Sequence, residues 1–88
     1  MKLIIAILQD KDTEAVSQAL ITNGYRVTRI ASTGGFLKRG SSTVMIGAEE
    51  SRIDDVISII RNHVSPADVP GSKRATLFVL QVAEFTQV

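Results

Sequence analysis

Leu3, Ile4, Ile5, Ala6, Ile7 and Leu8 follow one another with no polar interruption. Such a run has no helical period, and it suits a central β-strand whose two faces are both covered. The requirement is hard to meet in a chain of 88 residues. A domain this small buries only roughly 60–65% of its unfolded surface, so it holds one core and is marginal alone. One domain spanning residues 1–88 is therefore expected, together with help from association. The run does not read as a secretion signal, because it stops at Gln9 and Asp10 without a small-residue cleavage site. No stretch approaches the ~20 apolar residues that span a bilayer. There are no cysteines, which fits a reducing compartment and excludes disulfides, thiolate metal sites and cysteine nucleophiles. A cytoplasmic setting without membrane insertion is expected. A net charge of +1 disfavours nucleic-acid polymers, whose binders carry a strongly basic face.

After this strand (2–9), Asp10 or Asp12 can cap a helix, Glu14 suits its positive end, and Val16, Ala19, Leu20 and Asn23 share one side. Asn23 and Gly24 stop it, glycine taking the left-handed position at no steric cost. Residues 25–32 alternate, with Tyr25 and Val27 opposite Arg26 and Thr28. Gly34, Gly35 and Gly40 break the next stretch, making 33–40 a connection, and 42–48 resumes a strand. Glu49 and Glu50 open a second helix with the stripe Ile53, Val56, Ile57, Ile60 and Val64. Pro66, Pro70 and Gly71 make 65–73 a loop, and 74–83 alternates as a last strand.

The order βαββαβ is the split β-α-β arrangement, an α+β, ferredoxin-like fold: a four-stranded antiparallel sheet with two helices on one face. Its other face would expose apolar side chains of the first and last strands, so an oligomer formed through the sheet face is expected.

Chemistry-bearing residues are sparse. The single histidine, His63, falls at a helix C-terminus, where a donor suits the negative pole. With no second histidine and no cysteine, no metal-ligand spacing arises. Asp10, Asp12 and Glu14 read as helix-start residues before they read as cation ligands. No serine lies in a nucleophile elbow, so no catalytic residue is assigned. A binding loop is more legible. Gly34 and Gly35 let amides converge on an anion, and Lys38 and Arg39 flank it with positive charge; the same residues also make an ordinary turn with a solvated rim. Phe36 and Leu37 have little reason to stand in a loop unless they meet an aromatic ligand or another subunit. Arg26 offers a planar donor fork for phosphate or a base edge, and suits an ordinary sheet surface equally well.

The opening ten residues, the segment Arg26-Val27-Thr28-Arg29-Ile30-Ala31-Ser32-Thr33-Gly34-Gly35-Phe36-Leu37-Lys38, and Gly40, Thr43, Gly47 and Phe85-Thr86-Gln87 resemble the PII-like cyclic-di-AMP receptor family of bacteria. The likeness extends over nearly the whole chain. It implies a cytoplasmic signalling homotrimer that binds the nucleotide in clefts between subunits, has no catalytic activity and needs no cofactor. By this resemblance Arg26 and Thr28 contact ligand from the second strand, Gly35, Phe36 and Leu37 line it, and Gly47 and Gln87 add further contacts. A cyclic dinucleotide's phosphates suit arginine and glycine amides, and its purines suit Phe36 and Leu37. The chain departs from the family at Gly24 and Ser41, where asparagine is common, and in the brevity of 65–73, where the family has a long loop. Three readings follow: a receptor for cyclic-di-AMP or a related adenine nucleotide, a trimeric module that has lost the nucleotide and meets an unknown protein partner, or, least favoured, an acylphosphatase-like enzyme. The acidic first connection, Asp10 and Asp12, argues against the last.

Overall fold

The computed structural model describes residues 1–32, 40–67, 70–71 and 73–88. Its elements are β1 (Lys2–Gln9), α1 (Asp10–Thr22), β2 (Val27–Ser32), β3 (Ser41–Ala48), a 3₁₀ turn (Glu50–Arg52), α2 (Ile53–His63) and β4 (Ala75–Gln81). The strands form one sheet in the order β2-β3-β1-β4, with every neighbouring pair antiparallel. The expected ferredoxin-like βαββαβ architecture is thus the observed one. β1 occupies the interior of the sheet, as its unbroken apolar sequence requires.

Alternation along β1 decides the two layers. Ile4, Ala6 and Leu8 are fully or almost fully buried and meet Val16 and Leu20 of α1 and Val56, Ile59 and Ile60 of α2. Leu3, Ile5 and Ile7 point to the opposite face, opposite Gly47, Met45 and Thr43 on β3 and Leu80, Phe78 and Thr76 on β4. Phe78 and Leu80 are about half exposed there, at 52% and 46%.

Three local details differ from the sequence expectation. Neither Asp10 nor Asp12 caps α1: Gln9 occupies the cap position without a side-chain bond, and the Asp10 amide donates to the Gly40 carbonyl at 3.1 Å. Asp12 is instead buried at 2% exposure and accepts from Gln9 Nε2 at 3.2 Å and from the Ser65 hydroxyl. Helix α2 begins only at Ile53, after the 3₁₀ turn, and ends at His63. Its buried face also takes in Ile59, because the helix packs on both α1 and the sheet.

The end of α1 does follow expectation. Gly24 has φ of 89°; its amide donates to Ile21 O and the Tyr25 amide to Leu20 O, both at 3.0 Å. These paired bonds form a Schellman motif, which satisfies the last carbonyls of the helix. The turn also delivers Tyr25 into the core and sets the start of β2.

Candidate functional site

Below that turn, where β1 and β2 begin and β3 and β4 end, the chain lines an open cavity of about 460 Å³. Arg26 and Thr28 line it from β2 and the residue just before it, Met45 and Gly47 from β3, and Met1, Lys2 and Leu3 from the start of β1. The segment beyond β4 closes the remaining side with Val82, Phe85 and Gln87. It is held there by the Val82 amide, which donates to Met1 O at 3.2 Å, and by Gln81 Nε2 on the same carbonyl. Phe85 is 64% exposed at the edge of the cavity.

Four of the expected ligand residues, Arg26, Thr28, Gly47 and Gln87, therefore line one cavity. The others, Gly35, Phe36 and Leu37 with their flanking Gly34, Lys38 and Arg39, lie outside the described residues. Gly47 leaves open floor: a Cβ at this position would meet only Met1 Cε, at an ordinary 3.8 Å. Arg26 is exposed, and its guanidinium is in none of the salt bridges among the described residues.

The cavity wall is fixed by Tyr25. Its hydroxyl donates to Asp55 Oδ2 at 2.6 Å, and the Arg52 guanidinium carbon lies 4.6 Å from the ring centroid, a cation–π contact. Burial and the bond to Asp55 push the phenol above its ordinary value of 10.0. Lys2 is tied to Glu50 at 3.7 Å.

Sequence reasoning did not assign Met1, Lys2, Leu3, Tyr25, Met45, Val82 or Phe85 to this site. Alternation along β1 and β3 holds part of the signal, since Leu3 pairs with Gly47 and Ile5 with Met45 on one face. The contribution of Val82 and Phe85 depends on a segment folding back to Met1, which no local pattern marks.

The acidic residues of the first helix do not converge. Asp10 accepts from Ser42, Asp12 from Ser65 and Gln9, and Glu14 pairs with Arg29 at 3.5 Å on the surface. No potential metal cluster occurs among the described residues. His63 Nδ1 donates to the Ile59 carbonyl at 2.8 Å, the helix-end role its position suggests. No helix among the described residues is long and apolar enough to cross a membrane.

A helix-covered antiparallel sheet of this connectivity defines a ferredoxin-like α+β domain. A model of the cyclic-di-AMP receptor family matches residues 1–69, and the chain belongs to that family. The matched span includes Arg26, Thr28, Gly47 and the whole of 33–40. Among solved structures the chain is similar to a functionally unknown protein from Pediococcus pentosaceus ATCC 25745, at 38% identity and a TM-score of 0.77, over 99% of this chain and 96% of that one.

Proposed function

We propose that this protein is a non-catalytic signalling receptor, a homotrimer in the bacterial cytoplasm that binds cyclic-di-AMP or a related adenine nucleotide between its subunits. The observation that carries the reading is the meeting of Arg26, Thr28, Gly47 and Gln87 in one cavity in a chain of the cyclic-di-AMP receptor family. Arg26 supplies the charge-assisted fork for a phosphate. Gly47 leaves room for a base or ribose against the sheet, and Gln87 adds an amide for a polar edge. Gly34 and Gly35 with Lys38 and Arg39 would serve a phosphate, and Phe36 and Leu37 a purine.

Distance along β2 supports the reading that subunits share the site. β2 ends at Ser32 opposite Ser42, whereas Val27 and Ile46 pair near the cavity. At ~3.3 Å per residue, Thr28 stands roughly 13 Å along the strand from Ser32, where β2 ends and the 33–40 segment follows in sequence. A cleft between copies brings such separated groups onto one ligand. Gly24 and Ser41 replace two longer polar side chains at a cost of ~0.5–1.5 kcal/mol each where water substitutes, which lowers affinity without removing the site.

Calorimetric titration with cyclic-di-AMP, with ATP and AMP in parallel, tests the proposal. Saturation near one ligand per subunit is expected. Arg26→Ala is expected to weaken it by roughly 1.5–3 kcal/mol, the worth of a charged hydrogen bond. Gly47→Val should also weaken it, by filling the floor with a residue that strands accept, while leaving the melting temperature nearly unchanged. No heat with any adenine nucleotide would overturn the receptor reading in favour of a protein-interaction module.

A further inference from the structure

A second groove, of about 260 Å³, runs between α2 and β4 on the helix-covered side of the sheet. Its floor is apolar, built from Ile57, Ile60, Val64, Ala75 and Leu77, and its rim carries Arg61, Lys73 and Arg74. Among the described residues that line it there is no carboxylate.

The three cations differ from four others among the described residues. Lys2 pairs with Glu50 and Arg29 with Glu14; Lys11 donates to the Pro66 carbonyl, and Arg52 stacks on Tyr25. Arg61, Lys73 and Arg74 take part in no salt bridge among the described residues, and all three are exposed. Like charges gathered around an apolar trough repel one another and are left to water unless a counter-charged occupant arrives.

The groove also faces away from the sheet surface that carries Phe78 and Leu80. Ala75 and Leu77 pair with Leu8 and Ala6 on the core side of the sheet, so copies assembling through the other face leave this groove outward.

We infer that the α2–β4 groove is a docking site for a short segment of a partner protein in which carboxylates flank one or two leucine-sized side chains. The apolar side chains enter between Ile57 and Leu77, and the carboxylates meet Arg61, Lys73 and Arg74. Partial desolvation over the apolar floor strengthens those ion pairs, and the requirement for both parts gives specificity.

The test uses the full chain and three labelled twelve-residue peptides, followed by fluorescence polarisation. The first has four aspartates around two leucines, the second has asparagine for aspartate, and the third has alanine for leucine. The first should bind, with affinity falling as salt rises, and each of the others should bind at least tenfold more weakly. Arg61→Glu combined with Arg74→Glu should abolish binding of the first peptide while the melting temperature and the cyclic-di-AMP titration stay as in the wild type. Binding of the aspartate peptide regardless of leucine, or its displacement by millimolar inorganic phosphate, would reassign the groove to simple anions and overturn the proposal. Absence of binding by every peptide would also overturn it. The nucleotide titration reads the other cavity, so failure here is distinguishable from failure of the receptor reading.

Discussion

Tyr25 joins three parts of the molecule: the turn after α1, the cavity wall and the start of α2. Its ring is buried at 6% exposure, while its hydroxyl reaches Asp55, an exposed residue that water can serve instead. Tyr25→Phe should therefore cost about 1 kcal/mol, the net worth of one such hydrogen bond. The phenol's proton is held more tightly in the folded state than in the unfolded one, through burial and the bond to Asp55. The associated stability is present below pH 10, the unfolded value, and is lost as pH rises through the higher folded value. Urea melts near pH 8 should separate wild type from Tyr25→Phe, and the gap should close above pH 10. A gap that stays constant across this range would mean the hydroxyl is not protected as described. At this scale the sequence was partly legible. Tyr25 and Val27 opposite Arg26 and Thr28 is ordinary strand alternation, whereas the buried contact of Asp12 with Ser65 joins residues that no local pattern relates.

Elements were more legible than contacts because each carries its own periodic signal. The stripe on α2 emerges from Val56 and Ile60, which are almost completely buried. Ile59 escaped it because a helix touching two neighbours buries a wider arc than one apolar face implies. The two acids at the start of α1 suggested a cap, yet the Gly40 carbonyl provides for the first helix amide, a partner visible only once β3 lies beside β1. The stop at Gly24 was local in origin, and its energetics are correspondingly simple. A Cβ at Gly24 would meet nothing within 4 Å, but φ is +89°, so Gly24→Ala should destabilise by about 1–2 kcal/mol through backbone strain alone. A urea midpoint lowered with an unchanged slope is the expected reading. An unchanged midpoint would show that the turn does not need the left-handed conformation. Because Gly24 also lines the cavity, the strain falls on the element that sets Arg26 in place.

The whole molecule carries an imbalance between the two faces of its sheet. One face is closed by α1 and α2; the other presents Leu3, Ile5 and Ile7 beside Met45, Phe78 and Leu80. Contiguous apolar surface of this kind is uncommon on monomers and marks an interaction face, and symmetric association of copies is the usual way to cover it. The trimer proposed above places this face inward. Phe78 is half exposed at 52% and pairs with Ile5 on the open side, so Phe78→Glu should leave each subunit folded while placing a charge at the centre of the contact, where desolvation is costly. Sedimentation equilibrium at micromolar concentration should give a trimer for the wild type and a monomer for Phe78→Glu, with circular dichroism unchanged between them. The monomeric variant should also lose cyclic-di-AMP binding although Arg26, Thr28, Gly47 and Gln87 are intact, because the proposed ligand cleft needs a neighbouring copy. A wild-type monomer would reject the trimer outright. A variant that stays trimeric would move the interface to another face, and a monomeric variant that still binds nucleotide would confine the site to one chain.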